Sequence, residues 1–375
     1  MRRLTLLTLI FSISLFAKDR PEVTTAMQQA FNALMNLQLY LVSSEKFKDP
    51  KSKAAILKDL ETMSKLKHMF PKKMEEEEPG AKAIVGLFGE YLKDVQNRYK
   101  SGDFEYARNR MRTTSGFCFG CHTRLTAQTN FTDFSRKVEN SDLTPFQRAE
   151  IFAATRQFDK ALALYSQVLA KTPKDELGMI EVTRGLRHAL SISVRVKKNP
   201  EQTMKLLDSV TGRKDLPEFV QSMVMIWKKD VKAWMEEKEG SEQRTGEELV
   251  AKAKLMIERA SSLQAFPADE YGDISYLRAS TYLHEALDNN PKGKWRGEAL
   301  YYLGLCYYSL QDPMLWDLEN LYYEACIKEF PKSDISKKCY RKYADKIYLG
   351  YTGSGGTNIP EDELTKLKEL RKLAE

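Results

Sequence analysis

Residues 103–122 read DFEYARNRMRTTSGFCFGCH, and the fold turns on their periodicity. Phe104, Ala107, Met111, Cys118 and His122 fall on one stripe at helical spacing, with Asp103 placed to cap the first turn. Upstream, three more stripes of the same kind follow one another. Val23, Met27, Phe31, Leu34 and Leu41 share a face between Pro21 and Val42. Ile56, Leu60, Met63 and Phe70 align after Pro50 and stop at Pro71. Ile84, Phe88, Tyr91 and Val95 line a run that starts after Pro79-Gly80 and ends at Ser101-Gly102-Asp103. Short links between successive helices predict antiparallel neighbours, hence an up-down-up-down four-helix bundle over residues 18–126.

Downstream the pattern changes. From Thr126 to Thr144 it dissolves into Thr, Asn, Ser and Asp, which predicts a linker over 127–144, with Pro145 opening the next helix. Residues 147–173, QRAEIFAATRQFDKALALYSQVLAKTP, read helix, tight turn, helix, with Ala161, Tyr165, Val168 and Pro173 at the second-helix spacing of a tetratricopeptide repeat. Residues 297–331 match again through Leu303-Gly304, Tyr307, Tyr323 and Pro331, the small Gly304 allowing close approach of paired helices. Degenerate helix pairs fill 174–290, and a helix from Glu361 caps the stack over a repeat domain spanning 145–375. A chain of 375 residues exceeds what one core organises, so two domains are the natural division. With 42% hydrophobic and 30% charged residues and only 13 Pro, the expected class is all-α.

Cys118-Phe119-Gly120-Cys121-His122 is a C-x-x-C-H motif, the attachment signature of a c-type haem. Two thiols bond the porphyrin edge and the following imidazole binds iron, so one helical turn carries the whole linkage. A zinc half-site needs two further ligands at matching spacing, and a redox dithiol wants a βαβ context; neither pattern is present in the sequence. One covalent haem c is therefore expected, with Cys118 and Cys121 as its thioethers and His122 as the proximal iron ligand.

On these residues the segment 20–126 resembles the cytochrome c prime family of four-helix haem bundles, which carry the motif near the end of the fourth helix. Thr123-Arg124-Leu125 stands where that family has an aromatic-then-basic ending. The resemblance implies that the far side of the iron faces the first helix, where a Met closes the site for electron transfer and an apolar residue leaves it open to gases. Met27, on the apolar face of the first helix and level with the end of the fourth, is the candidate distal ligand. Met35 lies eight residues further, about 12 Å along the axis, too far to share the same haem. His68 falls outside the apolar face of its helix.

Arg2 and Arg3, the apolar run Leu4 to Phe16 and Ala17 form a signal peptide, residues 1–17, too short for a membrane anchor. Cleavage near Ala17 predicts a periplasmic protein. The formal charge of +7, reduced by two with the signal, is too mild to point to nucleic acid. Glu75 to Glu78 reads as a solvated loop. Cys306, Cys326 and Cys339 read as buried thiols with at most one bridge, His188 and His284 as structural, and Tyr301, Tyr302, Tyr307 and Tyr308 as packing. No catalytic constellation is visible, which argues against an enzyme. The resulting expectation is a monohaem electron-transfer cytochrome whose repeat domain docks a protein, with two alternatives: a five-coordinate gas sensor and a haem-containing assembly scaffold.

Overall fold

The computed structural model describes residues 21–41, 43–66, 79–112, 114–124, 135–237, 244–266, 269–289, 293–311 and 318–375. Residues 1–17, read as a signal peptide, His68, the Glu75 to Glu78 run and residues 125–134 of the expected linker lie outside them. The described chain is mostly helical, and its one sheet is a two-stranded hairpin pairing β1 (Thr352–Gly353) with β2 (Gly356–Thr357).

The first region holds α1 (Pro21–Leu41), a short α2 (Ser44–Lys48), α3 (Lys53–Ser64), α4 (Pro79–Lys100) and α5 (Phe104–Arg112). α1 packs on α3, α3 on α4, α4 on α5, and α5 returns to α1, closing a four-sided ring. Its inner face is the one the sequence periodicity marks: Leu34, Ile56, Leu60, Leu92, Val95 and Met111 are almost fully buried, each such side chain contributing about 1.5–3 kcal/mol of transfer free energy. α4 and α5 run antiparallel, since Tyr106 donates to Asp94 at 2.9 Å and Tyr91 bonds the carbonyl of Arg110. Gly102, at φ 90°, makes the turn between them. The run read as one helix over 103–122 is two segments. α5 ends at Arg112, where Arg108 and Arg112 donate to the carbonyl of Leu41, and α6 (Ser115–His122) begins again three residues on. α6 thereby leaves the ring and lies between α4 and α8.

Inside the expected linker, Ser135–Glu139 forms a short helix, α7. The array then comprises α8 (Pro145–Ala154), α9 (Phe158–Leu169), α10 (Glu176–Ser191), α11 (Pro200–Asp208), α12 (Glu218–Glu236), α13 (Gly246–Leu263), α14 (Asp273–Asn289), α15 (Arg296–Leu310), α16 (Leu318–Glu329), α17 (Asp334–Gly350) and α18 (Glu361–Ala374). Local sequence sets its starts: Pro145 and Pro200 occupy first turns, and Thr144 with Gln147, like Thr245 with Glu248, forms a reciprocal capping box. Neighbours in sequence pack on one another through α8, α9 and α10 and again from α13 to α18. The end of the array returns to the ring through α16 against α4. Cys326 and Cys339 form a disulfide between α16 and α17, Cα atoms 6.4 Å apart: of the readings the sequence left open, buried thiols or one bridge with a thiol left over, the structure has the bridge, because consecutive packed helices bring these two face to face, and Cys306 of the three is free and buried.

Candidate functional site

α6 is eight residues long and nearly all buried; Cys118 is half-buried, Cys121 and His122 are 6% and 8% exposed. Its faces are held from two sides. Phe117 packs against Phe88 and Tyr91 of α4, ring centroids 5.4 and 4.9 Å apart. On the other side Phe119 stacks on His188 of α10 at 4.0 Å with the rings 16° from parallel. Beyond the helix, Arg124 sets its guanidinium 4.5 Å over the ring of Tyr307 on α15. The motif segment thus touches three members of the array.

His122 Nδ1 lies 2.5 Å from the carbonyl oxygen of Ala154, at the end of α8. A carbonyl only accepts, so Nδ1 carries the hydrogen and Nε2 presents a lone pair, with no hydrogen-bond partner for Nε2 among the described residues. Burial, with the charge of Arg156 added, drives the imidazole pKa down to about 3, so the ring is neutral at physiological pH. That is the state an iron-binding imidazole needs, and a backbone carbonyl on the other nitrogen is the usual orienting partner of a metal-bound His. Burial, reinforced by Cys121, pushes the Cys118 thiol up to about 12. A redox-active dithiol requires the reverse shift. Cys118 and Cys121 are not paired with each other. The donor set therefore fits a covalently attached haem: two thiols a helical turn apart and not bridged by a disulfide, then a neutral imidazole whose Nε2 has no hydrogen-bond partner among the described residues.

Behind the Phe119–His188 stack sits a buried charge cluster. Glu150 of α8 accepts from His188 Nδ1 at 2.6 Å, from the Tyr165 hydroxyl at 2.5 Å and from Arg184 at 3.0 Å. Burial would raise its carboxyl, but His188, Arg184 and Tyr165 more than offset that and hold it at about 2. A cleft of about 220 Å³ opens beside the start of α6, with Arg112, Ser115, Asp142, Glu150 and Arg184 in its wall; its charges balance.

Met27 is half-buried on α1 and packs against the core. Among the described residues no group of three or more His, Cys, Asp or Glu is arranged to hold a metal by protein ligands alone. Sequence reasoning did not find Ala154 or Arg156 and treated His188 as structural. A backbone carbonyl 32 residues from its partner leaves no mark in a sequence, and His188 has no ligand-spaced neighbour. No helix among the described residues is long and apolar enough to cross a membrane. No family model, curated protein or solved structure matches the chain.

Proposed function

We propose that the protein is an exported monohaem c-type cytochrome that transfers electrons, with haem attached through Cys118 and Cys121 and iron held by His122. The observation that carries this reading is the His122 imidazole, neutral and oriented by the Ala154 carbonyl, with its Nε2 bare on the helix that bears the two thiols. A bound haem supplies an iron that exchanges one electron between ferrous and ferric states. The chain's own residues do the rest. The thiols fix the porphyrin edge, the Nδ1–H to Ala154 bond fixes the imidazole plane, and Phe117 and Phe119 keep water from that side of α6. Met27 would be a second protein ligand to the iron. The Cys326–Cys339 disulfide supports a periplasmic location, because such bridges persist in oxidising compartments. The helices from α8 to α18 are the proposed tetratricopeptide-like array, offering a surface for a protein redox partner.

Intact mass of the purified protein tests the attachment: one haem is added in the unsubstituted chain and lost in Cys118→Ala/Cys121→Ala. Optical spectra then decide the far side. Sharp low-spin bands indifferent to carbon monoxide, turning high-spin in Met27→Ala, support Met and His ligation. A high-spin spectrum that shifts with carbon monoxide in the unsubstituted protein replaces electron transfer by the gas-sensing reading.

A further inference from the structure

The partners that fix α6 on its His122 side all come from beyond residue 144. Ala154 and Glu150 stand four residues apart on α8, one turn along the same face, and each holds the Nδ1 of a different histidine: Ala154 that of His122, Glu150 that of His188. His188 in turn carries the Phe119 ring. Arg156 follows in the left-handed turn after α8, at φ 59°, two residues past the Ala154 carbonyl that holds His122.

We propose that the helical array forms the second wall of the haem site, with Ala154, Arg156 and His188 as positioning residues that set the reduction potential of the iron. The proposal rests on haem attachment at Cys118, Cys121 and His122. Two influences of opposite sign follow from the geometry. The Ala154 carbonyl draws on the Nδ1–H and makes Nε2 a stronger donor, which favours ferric iron. The half-buried Arg156 guanidinium opposes the additional positive charge of ferric iron and favours ferrous, with only partial screening by solvent. The Phe119–His188 stack keeps α6 in register with Ala154.

The test is a potentiometric titration of full-length, haem-loaded protein, followed optically. Arg156→Gln should lower the midpoint potential with the spectrum unchanged, and Arg156→Lys should restore it. His188→Ala, by letting α6 draw away from Ala154, should raise the potential, and His188→Phe, which keeps a stacked ring, should return it towards the original value. Loss of packing alone does not produce shifts of opposite sign with conservative rescue. If His188→Ala does not fold, the Arg156 pair and His188→Phe still decide. Haem-loaded Arg156→Gln that titrates like the unsubstituted protein, or a folded His188→Ala that does so, overturns the inference. An unsubstituted chain whose mass shows no haem overturns the functional reading instead, before any variant is titrated.

Discussion

The Glu150 carboxylate is 4% exposed and accepts from three side chains, so its charge is worth most where it is surrounded. Its folded pKa of about 2 lies below the unfolded value of about 4.3. The stability it contributes is present above the unfolded value and is lost as pH falls towards 2. Glu150→Gln should cost roughly 3 kcal/mol at pH 7, the range for breaking a buried ion pair, and much less at pH 3; urea denaturation at the two pH values checks this, and an equal loss at both refutes it. Asp273 works in the other direction. Burial raises its carboxyl to about 8 against the opposing charges of Arg187 and Arg195, and its Oδ1 has no hydrogen-bond partner. Its contribution is fully present below about pH 3.9 and is lost as pH rises through 8. Asp273→Asn should therefore gain on the unsubstituted protein progressively from pH 4 to pH 8, and a pH-independent difference in melting temperature refutes that. Neither residue was legible in the sequence, because their properties come from partners 15 to 86 positions away. By contrast, the five residues Cys118 to His122 carry the proposed attachment motif in their spacing alone, and the structure places all five on one short helix.

At the scale of helices the sequence was read well where apolar periodicity was strong. The stripe from Val23 to Leu41 and the helix start at Pro145 correspond to α1 and α8 almost to the residue. It was read poorly where two helices share one stripe. Nothing in the 3.6-residue period separates α5 from α6, because the break answers to tertiary partners: Leu41 at the end of one and Ala154 beyond the end of the other. The disulfide between α16 and α17 was hidden for the same reason. Gly304 is a case where sequence and packing agree. A Cβ there would come within 2.2 Å of the Tyr323 ring, so α15 and α16 can be this close only with glycine. Gly304→Ala should destabilise by about 1–3 kcal/mol through overpacking. Gly86, on the exposed face of α4, has nothing within 4 Å of the same position, and Gly86→Ala should stabilise by about 0.5–1 kcal/mol. Thermal melts of the two variants must move in opposite directions; a shift of the same sign in both refutes the packing argument.

For the whole molecule the question is whether ring and array are two units or one. α1, α3, α4 and α5 bury their apolar stripes against one another, yet the buried cluster runs on into the array, α16 packs on α4, α6 lies against α8, and Arg124 reaches Tyr307. These contacts join the first region to both ends of the array, so neither should open without exposing apolar surface of the other. Trp227, Trp234 and Trp295 belong to the array, the fourth tryptophan, Trp316, lies outside the described residues, and the sequence before residue 145 holds none, so tryptophan fluorescence follows the chain beyond the first region. Far-UV ellipticity reports every helix. In a urea titration the two signals should fall together in one transition, since coincidence of probes is the mark of a cooperative unit. An earlier step in ellipticity that fluorescence does not follow would mean that the ring melts by itself. The contacts of α6 with α8 would then be too weak to hold the His122 imidazole against Ala154, and the array would lose its part in the haem site.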